Sequence, residues 1–412
     1  MVETRDFIIS GISDFKEKYK LAWQDITIVT AGDILTTLME HKVLYSDNNW
    51  DYAVYVPCSV AEAEKIADEF APLGANVCHA RKFKERVFLA VYSPKTTAPA
   101  GPLPDLLADA PWKSPFGERK VLDSAAAPGE LSPFTFKGEN YRLENVLAHY
   151  TNPKLKVLDR WHENYFCIRR EADDRLISIP LIDHYFASAY VWNDRCYCYS
   201  MNQGASNGQK LEVIWSDDLI TWSAPHCIFD YTAKNEHFCN TSVTTDGKKF
   251  YLLFESNDHD CPVYTFHFAE SEDLIHWTPI PGAVYADDKY TGGGSLHYVA
   301  EDKLFYLSTL DLFIHPVARK VCYRFIISRS PDLIHWEDAP YDRPLLLPDC
   351  SHQPDPERHP EVFEISVSDM EYRVDGDKVI VYFIGGNQWG VCDNQITEYH
   401  GKLADLFRSF FK

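Results

Sequence analysis

Over the first ninety residues the apolar positions alternate between two periods. Residues 25–30 (DITIVT), 50–56 (WDYAVYV) and 86–92 (RVFLAVY) are short β-rich runs that predict strands. Residues 32–42 and 59–70 repeat their apolar positions at helical spacing. The second of these (SVAEAEKIADEF) opens with Ser59 and has Glu62 three residues on, the arrangement of a capping box. Strands alternating with helices predict a small α/β domain over residues 1–93. The stretch that follows, 94–130, is rich in Pro and Ala and has no strong period, so it reads as a linker.

From residue 131 to 412 helical spacing disappears and short aromatic β runs take over. Three segments repeat closely: 216–222 (SDDLITW), 271–277 (SEDLIHW) and 330–336 (SPDLIHW). Each follows a strand-like run. A second repeat consists of a strand, a tight turn and an aromatic strand: 187–200 (ASAYVWNDRCYCYS), 240–256 (NTSVTTDGKKFYLLFES), 295–311 (SLHYVAEDKLFYLSTLD) and 369–386 (DMEYRVDGDKVIVYFIGG). With a more divergent hairpin over 141–168 these make five units. A repeat of this length built wholly of strands predicts propeller blades, hence a mainly β fold with a five-bladed β-propeller at 131–412. The run 396–411 is expected to close or cover the ring.

Register within the repeat locates the axis. Six residues before each turn stand Ala187, Asn240, Ser295 and Asp369, equivalent positions on four inner strands. Asp369 is the acidic member. Four residues earlier, Asp183-His184 and Glu236-His237 occupy matching places in adjacent blades, and each acid can face a central pocket with its His orienting it or binding hydroxyls. Antiparallel pairing returns the end of each second strand to the same face. That brings in Glu255, Asn202, Gln203, Asn387, Gln388 and Trp389, while His297 follows Ser295 on its strand. Asn and Gln both donate and accept, which suits sugar hydroxyls. The run 292–294 (GGG) reads as close backbone packing, not a phosphate loop. The loop 349–360 (DCSHQPDPERHP) reads as a polar rim carrying His352, Arg358 and His359, with no partner ligands at metal spacing.

The order of strand, DG turn, aromatic strand and S-x-D-L-x-x-W resembles the propellers of glycoside hydrolase families 43 and 32. The WMNDPNG and E-C-P motifs of those families are absent. The resemblance implies a pocket at one end of the axis with acids at inner-strand starts: a base or nucleophile, a residue that tunes pKa, and a general acid. On the register above, Asp183 is the expected base or nucleophile, Glu236 the general acid with Glu255 its rival, and Asp369 the orienting acid. The substrate-binding set would be His184, His237, Asn240, Asn202, Gln203, His297, Arg358, Asn387, Gln388 and Trp389. The expected activity is hydrolysis of a glycosidic bond in a small carbohydrate. A non-catalytic sugar-binding propeller and a glycosyl-transferring enzyme are the alternatives. No cofactor and no metal are implied.

Composition changes this little. Aromatic residues make up 14% of the 412, which favours strands and offers stacking surfaces. A formal charge of −21 excludes the basic footprint that nucleic acids and anionic membranes require. No stretch is apolar enough to cross a membrane as a helix, and the first twenty residues lack the features of a secretory signal. Eleven scattered Cys read as free thiols in a reducing, cytoplasmic setting.

Overall fold

The computed structural model describes strands at 50–57, 77–83 and 86–94, then residues 112–122, 129–146, 164–256, 265–287, 291–314, 321–340, 342–387 and 391–412. The first three strands, β1 (Trp50–Pro57), β2 (Val77–Phe83) and β3 (Arg86–Pro94), form an antiparallel sheet in the order β1-β3-β2. Two of them coincide with runs expected as strands. The expected strand at 25–30 and the helices at 32–42 and 59–70 lie outside the described residues.

Five four-stranded antiparallel sheets follow. Blade 1 comprises β5 (Leu131–Phe136), β6 (Glu139–Val146), β7 (Tyr165–Arg170) and β8 (Arg175–Ile182). Blade 2 comprises β9 (His184–Trp192), β10 (Arg195–Asn202), β11 (Lys210–Ser216) and β12 (His226–Asp230). Blade 3 comprises β13 (Phe238–Thr245), β14 (Phe250–Ser256), β15 (Thr265–Ser271) and β16 (Thr278–Tyr285). Blade 4 comprises β17 (Ser295–Val299), β18 (Leu304–Ile314), β19 (Val321–Ser330) and β20 (Glu337–Asp338). Blade 5 is β21 (Ser366–Asp375), β22 (Lys378–Gly386) and β23 (Cys392–His400), with a fourth strand from far upstream, β4 (Lys120–Val121). The expected five-bladed propeller is therefore present.

The apolar core lies in wedges between neighbouring blades. Leu143, Phe166, Cys198 and Ile214 fill the space between blades 1 and 2. Tyr199, Phe238, Phe254 and Trp277 fill the next, then Phe266, Phe268, Leu307 and Leu333. Between blades 4 and 5, Phe325, Val367 and Phe383 are joined by Leu406, Phe407 and Phe410, which come from the C-terminal helix α2 (Leu403–Ser409) and its cap. Burying both faces of each sheet explains the near-continuous apolar runs along the middle strands.

The S-x-D-L-x-x-W repeats form the same loop three times. In each, the Ser hydroxyl accepts from the Asp and Leu backbone N–H groups, and one Asp oxygen accepts from the next two. The Leu (219, 274, 333) takes a positive φ of 63°, 68° and 66°. This conformation is unfavourable for a branched residue. It is held because the Leu side chain is buried in the wedge, 1% exposed in each case. Trp222, Trp277 and Trp336 pack into successive wedges, as their shared context predicts.

Ring closure departs from expectation. The stretch 94–130 reads as a linker, yet 112–122 is built into blade 5. Lys120 and Val121 pair with Ile396 and Gln395, and Gly117 N–H donates to Glu398 O at 2.8 Å. Arg119 Nη1 meets Glu364 Oε1 at 2.9 Å, and the Trp112 and Phe410 ring centroids lie 5.0 Å apart. A two-residue strand carries too little alternation to be seen in a pattern. The 396–411 run does join blade 5 and cover it, while the upstream strand completes the sheet.

Candidate active site

Three of the five inner strands share a bulge at the same level. In β9 the pairing slips between Tyr199 and Met201 of the partner strand. In β13 it slips between Phe238 and Thr241, and in β21 between Ser368 and Glu371. Phe186 and Asp369, within these bulges, have φ of 51° and 54°. Bulges re-aim side chains. Here they turn the bulged segments towards a narrow axial cavity of about 20 Å³, lined by Glu130, Ala187, Asn240, Gly293, Asp369 and Glu371 among others. Three of the four positions equated by register, Ala187, Asn240 and Asp369, therefore line it. The fourth, Ser295, supports it from the side by donating to Glu371 Oε2 at 2.8 Å.

Four carboxyl groups converge here. Asn240 Nδ2 stands 3.4 Å from Glu255 Oε1 and 3.4 Å from Asp369 Oδ1, long contacts that tie the two acids to one donor. Glu255 is 1% exposed. Burial, then the nearby Asp369, push its pKa to about 8, against the backbone N–H groups of Gly293 and Gly294 and the Asn240 amide. Asp369 is raised less, to about 6, by burial, with hydrogen bonds from Ser368 and Asn240 opposing. Burial also lifts Glu371 to about 8, opposed by the Ser295 hydroxyl and helped by Asp369. Burial and then Asp369 lift Glu130 to about 8. Carboxyls this close titrate as a set, and they cannot all ionise at neutral pH.

Glycine is required where the Gly run meets these acids. Gly293 has φ 57°, and a Cβ there would lie 3.1 Å from Asp369 Oδ1 and from Asp369 N. A Cβ on Gly294 would strike the Phe266 ring at 2.7 Å. Close backbone packing is thus what the run provides. Glu130 is fixed from the opposite side. Asn145, fully buried, holds the Glu130 carbonyl with its own N–H and Nδ2, donates to Ala187 O at 2.9 Å and accepts from Ala187 N at 2.8 Å. One side chain thereby stitches the start of blade 1 to the bulge of blade 2.

The other predicted residues are placed as follows. Asp183 and Glu236 are not among the residues lining the axial cavity. Asp183 has φ 58°, its carbonyl accepts from Gln203 and Gly204 N–H, and its side chain lies against Gly204. Glu236 faces Lys234 at 3.8 Å. His184 is buried and spans Ile182 O at 2.8 Å and Glu212 Oε2 at 2.9 Å. His237 lies against Gly208. Asn202 caps the short helix α1 (Gln203–Ser206) and donates to Glu212, and Gln203 is buried against Asn164. His297 lines a second, wider chamber further along the axis, about 460 Å³, which shares Ser132, Ser188 and Glu371 with the cavity. Burial lowers its pKa to about 4. Arg358 is exposed and paired with Asp355 at 2.7 Å. Asn387 forms a turn with Val391. Gln388 and Trp389 lie outside the described residues.

His352 does have carboxylate partners, contrary to expectation, because they come from distant strands. Its Nε2 meets Asp393 Oδ2 at 2.7 Å, and a ligand atom each of His352, Glu364 and Asp393 fall within 4.8 Å of one another. Gln395 and Arg119 already donate to these acids, as does the Asp349 N–H. The protein's own donors thus use the oxygens a metal would need, and the group behaves as a hydrogen-bonded brace on blade 5.

Solved structures share the propeller fold. BT0996, solved as an RGII complex, aligns with a TM-score of 0.50 at 13% identity, covering 69% of this protein and 92% of that one. The α-L-arabinofuranosidase PaAbf62A from Podospora anserina, in complex with cellotriose, aligns at 0.48 and 11% identity, covering 69% and 96%. A family 43 endo-arabinanase from Bacillus licheniformis aligns at 0.45 and 9% identity, covering 67% and 96%. No family model and no curated protein matches the sequence. The chain is a five-bladed β-propeller.

Proposed function

We propose that the propeller is a glycoside hydrolase whose working acids are Asp369 and Glu255. The observation that carries this is their meeting at one donor, Asn240, in environments that separate their protonation. Asp369, raised to about 6, is ionised near neutral pH, while Glu255, raised to about 8, keeps its proton. Glycosidic cleavage needs such a pair. Glu255 donates a proton to the leaving oxygen as the C–O bond breaks. Asp369 takes a proton from attacking water or attacks the anomeric carbon itself. Burial and the charge on Asp369 keep Glu255 protonated. Water, not phosphate, is the acceptor in this reading, because the described residues that line the cavity include no Lys, Arg or His.

Turnover of nitrophenyl glycosides of pentoses and hexoses tests the proposal. Asp369→Asn should lose activity on every substrate that the wild type cleaves, by about 10²–10⁴-fold. Glu255→Gln should lose as much on sugar–sugar bonds but far less on activated aryl leaving groups, which need little protonation. Wild-type rates in both variants, or no cleavage of any glycoside by the wild type, would leave the sugar-binding alternative in its place.

A further inference from the structure

Cleavage uses two carboxyls, and the axial cavity has four around it. Glu371 is accounted for by the Ser295 hydroxyl. Glu130 is not. It receives the Tyr185 hydroxyl, but its Oε2 is buried without any hydrogen-bond partner. Of the hydroxyls lining the cavity, Ser132 accepts from Ala189 N–H and Ser188 is bonded to Thr241, and none of them reaches Glu130 Oε2. Asn240 serves Glu255 and Asp369, Gly293 and Gly294 N–H serve Glu255, and Ser368 serves Asp369. An acid oxygen buried with no donor is costly. Glu130 cannot swing away to find one, because Asn145 holds its backbone from two sides. A group that enters the cavity can supply that donor.

Size and charge define that donor. The space has room for about one water-sized group. A phosphate or carboxylate would add like charge to four acids. A hydroxyl or a water would satisfy one oxygen but bring no positive charge to set against the ionised Asp369. A divalent ion needs several oxygens already gathered. Among the described residues the one such gathering is His352, Glu364 and Asp393, not the axial acids. A protonated amine brings three donors and a positive charge in the volume of a water molecule.

We propose that the floor of the axial cavity binds a primary ammonium group held by Glu130 and Asp369, so that the sugar taken by this site carries a free amino group. The word sugar rests on the hydrolase reading; the ammonium site does not. The net charge of −21 raises the local concentration of any cation at the mouth. Binding must ionise acids that burial holds protonated, so it releases protons and tightens as pH rises. The groups facing the ammonium are Glu130, Asp369, Glu371 and Glu255, with the Tyr185 hydroxyl and the neutral Asn240 amide between them.

The test compares two small polyols that differ by one group. Tris carries an ammonium where pentaerythritol carries a fourth hydroxymethyl. Titrated calorimetrically into the full chain at pH 7, Tris should bind about ten-fold or more tightly than pentaerythritol. Its apparent heat should change with buffer as protons are released, and its affinity should rise from pH 5.5 to 7.5. In Glu130→Gln the preference should collapse, while Asp273→Asn, in a surface loop away from the cavity, should keep it. Thermal unfolding of both variants separates loss of the site from loss of the fold. Equal affinity for the two polyols, no binding of Tris, an unchanged preference in a folded Glu130→Gln, or displacement of Tris by low calcium would each overturn the inference. A protein that prefers Tris yet cleaves no glycoside keeps the ammonium site and loses the hydrolase reading. One that cleaves glycosides without the preference does the reverse.

Discussion

Asp and Glu occur in two kinds of place in this propeller, and the two behave oppositely. In the S-x-D-L-x-x-W loops, Asp218, Asp273 and Asp332 are each held at about 2, well below the ordinary Asp value. At the axis, Asp369, Glu255, Glu371 and Glu130 are pushed up to between about 6 and about 8. The loop acids accept backbone N–H groups at the protein surface, where water helps to carry the charge. The axial acids face one another with few donors and little water. The loop acids recur in three blades in the same sequence context. The axial acids come from blades 1, 3 and 5 and match no common motif. In a repeat fold, what recurs supports the blades, and chemistry gathers where the recurrence is broken.

The largest effect should follow from removing what closes the ring. Deleting residues 1–122 takes away β4, the Arg119–Glu364 ion pair and the Trp112 packing on α2. Blade 5 would then expose the edge of β23. The truncated chain should unfold without a single cooperative transition, or lose more than ~5 kcal/mol in urea, whereas deleting only residues 1–111 should leave the propeller transition in place. If both truncations unfold like the full chain, the closing strand is dispensable, and the axial acids can be positioned without it.

Smaller and opposite in sign is the effect of neutralising an axial acid. Glu255 has a folded pKa raised above its unfolded value. Between about pH 4.5 and about pH 8 the folded state keeps a proton that the unfolded chain has released. Stability therefore falls as pH rises through that window, and the full cost is present above it. Glu255→Gln removes the cost. The variant should match the wild type near pH 4 and exceed it by ~1–3 kcal/mol at pH 9 in thermal or urea unfolding. A destabilised Gln variant at pH 9 would mean that the Gly293 and Gly294 donors stabilise the carboxylate more than burial opposes it.

The same contrast shows what the sequence could reveal. Propeller architecture was legible because the loops repeat in plain text, down to the Trp in each wedge. The axial position of Asn240 and Asp369 was legible through register, since inner-strand position follows from the turns, and that of Glu255 through the antiparallel return of the second strand. Glu371 was available on the same argument, two residues beyond Asp369 on the same face of β21. Glu130 was hidden because it ends a Pro- and Ala-rich string that carries no strand period. Its one signal is the Gly129-Glu130 step directly before β5, where a Cβ on Gly129 would lie 1.7 Å from Asn145 O. The Asp183-His184 and Glu236-His237 pairs do match in register, but matching acids at strand starts need not face the axis. His184 turns outward along the blade to Glu212, a partner that only β11 can supply.

The smallest expected effect tests the other side of the comparison. Asp273 loses some solvation in its loop, which alone would raise its pKa. The N–H groups of His276 and Ile275, the His276 ring and the Ser271 hydroxyl outweigh this and bring it to about 2. A group whose folded pKa is depressed stabilises the fold above its unfolded pKa, and that contribution is lost as pH falls through the folded one. Asp273→Asn keeps an oxygen for the two N–H groups but removes the charge. The side chain is half exposed, so water screens much of the gain, and the cost at pH 7 should be about 0.5–1 kcal/mol. Near pH 2 the variant and the wild type should converge, the reverse of the pH course expected for Glu255→Gln. Measured together in urea across pH, the two variants should give difference curves that run apart as pH rises. Parallel curves would show that the loop and axial acids share one electrostatic environment, and the contrast between scaffold and site would have to be given up.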